Sequence, residues 1–259
     1  MASTSLILHK GAREVTLDEL RRAPTPDATA THYPVPFARY LDMTIENLRN
    51  AGFEPTHQRY ALSRGDMRFF SVIELDSALA KDISLAVAIS SAHDRSLPYR
   101  FIAGGRTLCC DNLMMSSDMS MGTVRRKHTR NGEFRMAEAV SKAVKALPQF
   151  AQTESARIAT AQRTIVTDTE AESLILRALE RDIISVRYPV AILREFRSPS
   201  YEEFSANGKT LHRLEQAFTT CLGDLAKASP QRYAQATIAI QGLLTGQAPA
   251  AEADPTTAA

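Results

Sequence analysis

Two periodicities divide the chain. Between Phe37 and Asn50, Tyr40, Leu41, Ile45 and Leu48 recur at three- and four-residue spacing, which predicts an amphipathic helix. Asn50-Ala51-Gly52 supplies its stop, with Gly52 suited to a left-handed position after the last turn. From His57 the pattern becomes strand-like. His57–Ser63 and Met67–Leu75 flank Arg64-Gly65-Asp66 and predict a β-hairpin, so the Arg-Gly-Asp triplet reads as a turn. Ile83–Ser90 and Tyr99–Gly104 predict two more strands, and the short connection through His93-Asp94-Arg95-Ser96 makes them antiparallel. Gly104-Gly105 predicts a break or bulge, with Arg106–Cys110 as a fifth strand and Thr123–Thr129 as a sixth.

After Asn131-Gly132 the helical period returns. Phe134–Leu147 is Ala-rich and amphipathic, and the pattern stays helical to Gln162, with Pro148 ending, kinking or reopening it. Thr167 or Asp168 caps a further helix with Ala171, Leu174, Ile175, Ala178 and Leu179 on one face. Tyr188–Phe196 is open between a short helix and an extended piece. Thr210 caps a helix through Leu222, and a last helix runs from Gln231 to Leu244. The fold class is therefore α+β: an antiparallel meander over about residues 57–129, packed against a mostly helical C-terminal half, with the helices on one face of the sheet. Residues 1–36 form an N-terminal arm, 37–245 a single α+β domain, and 246–259 a disordered tail without aromatics.

Composition narrows the class. At 259 residues with 44% hydrophobic and 23% charged residues, the chain is an ordinary globular one. No apolar run approaches the length of a membrane span, and the N-terminus lacks the basic lead and apolar core of a secretory signal, so a cytoplasmic protein without membrane association is expected. Three cysteines, two of them adjacent at Cys109-Cys110, fit a reducing compartment.

Charge changes the picture more. The whole chain carries +2, yet Met121–Lys145 sets Arg125, Arg126, Lys127, Arg130, Arg135, Lys142 and Lys145 against only Glu133 and Glu138, a local +5. Such a surface suits a phosphate backbone, and Arg125, Arg126, Lys127, His128, Arg130, Arg135 and Lys142 are the candidate nucleic-acid-binding residues. The competing reading is a solvated strand edge, because Lys and Arg on edges block aggregation. Tyr60, Phe69, Phe70, Tyr99 and Phe101 are potential base platforms, although aromatics in strands more often pack in the core. A second candidate group is His93, Asp94, Asp111 and Asn112, whose plainer role is to close turns and strand ends. No Cys-x-x-Cys or His-x-x-x-His spacing stands beside it, so neither a metal nor a cofactor is expected. Gly-x-Ser-x-Gly, phosphate-loop and dinucleotide fingerprints are absent, so no enzyme activity is expected. Met114, Met115, Met119 and Met121 make an unusual Met-rich stretch, suited to partial burial or to an adaptable interface.

Three blocks carry a resemblance: Ser91-Ala92-His93-Asp94-Arg95-Ser96, Cys110-Asp111-Asn112-Leu113 and Arg125-Arg126-Lys127-His128-Thr129. In this order they resemble the phage- and plasmid-borne family known as domain of unknown function 932, over about residues 35–245. The resemblance implies a mobile-element setting and supplies no catalytic residues. Joined to the basic cluster, it leads to the expectation of a DNA-associated protein that binds single-stranded DNA, as a recombination or strand-annealing accessory, and that forms a homo-oligomer. The alternative is an anti-restriction or anti-defence protein that binds and inhibits a host protein.

Overall fold

The computed structural model describes residues 12–81, 83–107, 113–115, 123–205 and 208–246. Among these, the strands are β1 (Ala12–Val15), β2 (Pro55–Ser63), β3 (Arg68–Ala80), β4 (Ile83–Ala92), β5 (Tyr99–Thr107), β6 (Leu113–Met115) and β7 (Thr123–Arg126). They form one antiparallel sheet in the order β1-β2-β3-β4-β5, with β6 and β7 pairing with successive stretches of β5. The helices are α1 (Leu17–Arg22), α2 (Phe37–Asn50), α3 (Gly132–Arg163), α4 (Asp168–Glu180), α5 (Pro189–Arg197), α6 (Glu202–Ser205), α7 (Leu211–Cys221), α8 (Gly223–Ala228) and α9 (Pro230–Thr245). The protein is thus α+β, with its meander in the N-terminal half and most helices in the C-terminal half.

Part of the N-terminal segment joins the sheet. Ala12–Val15 pairs with Tyr60–Ser63 as an edge strand. Thr16 then caps α1: its hydroxyl accepts from the Glu19 amide, and the Glu19 carboxylate accepts from the Thr16 amide at 2.8 Å.

Both faces of the sheet are covered, not one. On the first face, Phe69, Ile73, Leu85, Val87, Ile89, Tyr99 and Phe101 meet Phe37, Tyr40 and Leu41 of α2 and Met136, Val140 and Leu147 of α3. Each fully buried aliphatic side chain here contributes roughly 1.5–3 kcal/mol. On the second face, Phe70, Val72, Ala86 and Ala88 pack with Ala234, and Ile238 flanks them, so α9 returns across the sheet. The near-continuous apolar run Ile83–Ile89 accounts for this. A strand buried on both sides has no polar face and so no clean alternation.

Gly104-Gly105 also departs from expectation. β5 runs through both without a register shift, to Thr107. A Cβ at Gly105 would meet Ile83 Cγ2 at 3.0 Å and Leu79 Cδ1 at 3.3 Å, so the glycine admits close packing and does not mark a break. Pro148 lies inside α3 and does not end it, and Tyr188–Phe196 resolves as the start and body of α5.

The helical half has its own core, in which Ile175, Ile192, Phe196, Leu214, Phe218 and Tyr233 interlock. α7 is buried on nearly every side, polar positions included. It meets α3 through Arg157, whose guanidinium reaches Glu154 at 3.0 Å and Glu215 at 2.5 Å. No helix among the described residues is long and apolar enough to cross a membrane.

Candidate nucleic-acid interface

The basic block leaves the sheet through β7. Its register sets Val124 opposite Phe101 and Arg126 opposite Tyr99, and strand periodicity carries the same face forward to His128. His128 accordingly turns inward. It is 5% exposed, its ring stacks on Tyr99 with centroids 3.8 Å apart, and Ser91 Oγ stands 3.3 Å from its Nε2. This corrects the expectation that His128 belongs to a binding surface: the alternation that points one neighbour out points this imidazole into the core.

His128 is one of three buried imidazoles brought together from distant segments. The His32 ring lies 5.1 Å from it, and His93 stacks on Phe37 at 3.9 Å with the rings nearly parallel. His93 Nε2 donates to the Val35 carbonyl at 3.0 Å, the Tyr33 amide donates to the His128 carbonyl at 2.9 Å, and the Val35 amide donates to Tyr99 Oη at 3.1 Å. Residues 32–35 are thereby strapped across the end of the sheet. Burial pushes the His128 imidazole down to about 4, and the neighbouring His32 and His93 add to the shift. Burial also lowers His93, against the Val35 and Pro24 carbonyls that favour its charged form, and lowers His32, with Arg95 acting in the same direction. The cluster is neutral at pH 7. Among the described residues, no group of three His, Cys, Asp or Glu side chains is arranged to hold a metal ion.

Lys127, beside His128, is exposed. A tight turn follows: the Thr129 amide donates to the Lys127 carbonyl at 3.0 Å and the Gly132 amide to the Thr129 carbonyl at 2.7 Å. A Cβ at Gly132 would lie 2.7 Å from the Lys127 carbonyl oxygen, so only glycine fits where the turn closes on α3. Arg130 is exposed, and its guanidinium carbon stands 5.7 Å from the Tyr33 ring centroid while its Nε donates to Tyr33 Oη at 3.3 Å.

Arg135, Lys142 and Lys145 continue the surface along α3, and all are exposed. At 3.6 residues per turn they share an arc of roughly 100° with Phe134, opposite the buried Met136, Val140, Ala143 and Leu147. Of the two acidic residues in the block, Glu133 is taken up by Arg39 at 2.5 Å. No ion pair engages Lys127, Arg130, Arg135, Lys142 or Lys145 among the described residues. Arg125 stands opposite Arg100 in the ladder; the side chains of Arg125 and Arg126 lie outside the described set.

The second candidate group does not form a site among the described residues. Asp94 accepts from Arg68 Nε at 2.9 Å and from the Ser96 amide at 3.0 Å, and Ser96 Oγ adds a further contact, so it closes the β4–β5 turn. Burial of Asp94 is outweighed by these bonds, which hold its carboxyl below the usual range. Asp111 and Asn112, like Cys109 and Cys110, fall outside the described residues. Elsewhere, a cavity of about 410 Å³ between α1, α2 and β2 sets Arg21 and Arg49 against Asp42 and Glu46, so it carries no excess charge.

The sheet aromatics are core. Phe69, Tyr99 and Phe101 are no more than 1% exposed, Phe70 is 9%, and Tyr60 is half-buried. The aromatic that does face solvent is Phe134, 67% exposed in the first turn of α3. The sequence held the signal for it: Phe134 falls on the polar side of the helical wheel that Met136 and Val140 define.

A family model matches residues 30–235, about four-fifths of the chain. The chain belongs to the family Domain of unknown function (DUF932). The DUF932 segment takes in all three imidazoles of the strap, the Gly132 turn and the cations from Lys127 to Lys145. No curated protein and no solved structure matches the chain.

Proposed function

We propose that this DUF932 protein is a binding protein, not an enzyme, and that it takes single-stranded DNA along Lys127, Arg130, Arg135, Lys142 and Lys145, with Arg125, on the same side of the strand as Lys127, at the β7 end. One observation carries this reading. Five exposed cations lie within nineteen residues, on one turn and one helix face, against two carboxylates, of which Glu133 is engaged by Arg39 and Glu138 stays exposed on the same face. A cationic track of this kind meets phosphates and gives steeply salt-dependent affinity, with a logarithmic slope of roughly −3.5 for five contacts at about −0.7 each. A mobile-element setting, with a recombination or strand-annealing role in the cytoplasm and a homo-oligomer extending the short track, completes the proposal and rests on the resemblance of the three sequence blocks alone.

The test is fluorescence anisotropy of a labelled single strand at two salt concentrations. Binding at low salt that weakens steeply with salt, and that loses about 1.4 from its slope in the double variant Arg130→Ala, Arg135→Ala, supports the reading. Absence of binding at low salt, or identical curves for the variant, sinks it.

A second reading, capture of a host defence protein, draws on the helical half. Val186 and Val190 are 83% and 62% exposed where α5 begins, and Leu176 of α4 is 55% exposed. That reading expects a protein partner whose binding Val186→Asp with Val190→Asp abolishes and added DNA leaves unchanged.

A further inference from the structure

We propose that Phe134 is the base-stacking platform of this surface, and that it selects unpaired bases over duplex. The proposal rests on the nucleic-acid reading above and names the part of the ligand that the cations alone do not read.

Three observations carry it. Phe134 is 67% exposed, on a helix whose other large apolar residues between Met136 and Phe150 are buried. A stable helix face gains nothing by showing a phenyl ring to water, since burying it would release apolar surface. The ring is also placed among cations. Arg135 is its neighbour, Lys142 and Lys145 follow on the same arc within about 16 Å of helix length, with the single acid Glu138 between Arg135 and Lys142, and Arg130 precedes it by four residues across the Gly132 turn. Finally, the position is held. Glu133 beside it is tied to Arg39 of α2 at 2.5 Å, Met136 two residues on is 1% exposed in the main core, and Arg130 is steadied by Tyr33. A phenyl ring on a rigid first turn, with positive charge beside it, pairs a π-face with phosphate attraction. Every base has a π-face, so such a contact tolerates sequence; a duplex keeps its bases stacked on one another and does not offer them.

The chain contains no tryptophan, so Phe134→Trp in the full-length protein introduces a unique indole reporter at the site. Emission is followed while oligodeoxythymidylate is added at low salt, in parallel with anisotropy of a labelled strand. Stacking predicts quenching that saturates at the concentration where anisotropy saturates. Heparin, a polyanion without bases, is expected to displace the strand and restore emission. Phe134→Ala is expected to weaken single-strand binding roughly 5- to 150-fold, with the salt slope unchanged, because a base contact is lost and no phosphate contact is. Phe134→Leu, which keeps apolar bulk without a π-face, should fall with the alanine variant.

Anisotropy that reports binding while the indole emission stays unchanged and Phe134→Ala binds as wild type overturns the platform and leaves the cationic track standing. Equal affinity for single strand and duplex in the wild type overturns it too. If neither signal changes at low salt, the track itself is wrong and the platform falls with it. Exposure of the ring means that none of these variants disturbs the core, which far-ultraviolet circular dichroism verifies.

Discussion

The two ends of the molecule bury polar groups in opposite ways. At the sheet end, His32, His93 and His128 are buried without charge: each ring lies against an aromatic or another imidazole, and burial holds all three below the ordinary imidazole value. In the helical half, Arg157 is buried with its charge, between Glu154 and Glu215, with His212 Nδ1 3.5 Å from Glu215. Burial works against the Glu215 carboxylate, and the Arg157 charge overcomes it, so its pKa falls. A titratable group enters a core either by shedding its charge or by meeting the opposite one. Imidazole is the side chain that sheds its charge easily near neutral pH. Guanidinium does not, so Arg157 requires its carboxylates.

The largest effect is expected from breaking the charged cluster. Arg157→Met leaves two buried carboxylates without their cation and should cost about 3–5 kcal/mol in urea unfolding. Replacing Arg157, Glu154 and Glu215 together with apolar residues should recover most of that loss. If the single and triple variants are equally destabilised, the charges are not what the site depends on.

The neutral cluster should respond to acid. The folded pKa of His128 is about 4 against 6.5 for an unperturbed imidazole, so the unfolded chain takes the proton first. Stability from this group is complete above about pH 6.5 and is lost as pH falls toward 4, by on the order of 3 kcal/mol. His32 and His93 act in the same direction. The depressed Glu215 carboxyl also loses its contribution as pH falls, but only below its ordinary value of 4.5. Urea melts at pH 7, 5.5 and 4.5 should therefore weaken before the carboxylate takes part. His128→Phe, which keeps a ring on Tyr99, should flatten that window. A variant as acid-sensitive as wild type would assign the pH dependence elsewhere.

A smaller effect separates the strap from the basic track. Gly132→Ala drives a methyl against the Lys127 carbonyl, and about 1–3 kcal/mol of destabilisation is expected, together with weaker DNA binding. Tyr33→Phe removes only the hydroxyl that accepts from Arg130, on a partly exposed contact, and should change stability by less than about 1 kcal/mol while loosening Arg130. Nuclear magnetic resonance of the arginine Nε–H groups distinguishes the two variants: Tyr33→Phe should shift Arg130 alone.

Much of the architecture is legible in the linear pattern. Tyr40, Leu41 and Leu48 announce α2, the Thr16–Glu19 and Thr167–Glu170 pairs start helices where their capping boxes form, and the hairpin turns at Arg64-Gly65-Asp66, where all three residues take positive φ. The second layer of cover over the sheet was less visible. Ala234 and Ile238 look like any apolar helix positions, and only chain reversal brings α9 back across β3 and β4.

The basic block shows where the two levels part. Its composition and its place between strand and helix belong to the sequence, as does the outward position of Phe134 on the wheel. Local periodicity separates Lys127 from His128, but what lies beneath each is a matter of distant chain: Tyr99, Ser91 and His32 make the site inward of β7 a pocket for an uncharged ring. Tyr33 gives Arg130 its partner, and Arg39 removes the charge of Glu133 from the track. Sequence determines which residues can carry charge and at what spacing. Tertiary structure decides which of them keep it, because desolvation and pairing depend on neighbours that the linear order holds far apart.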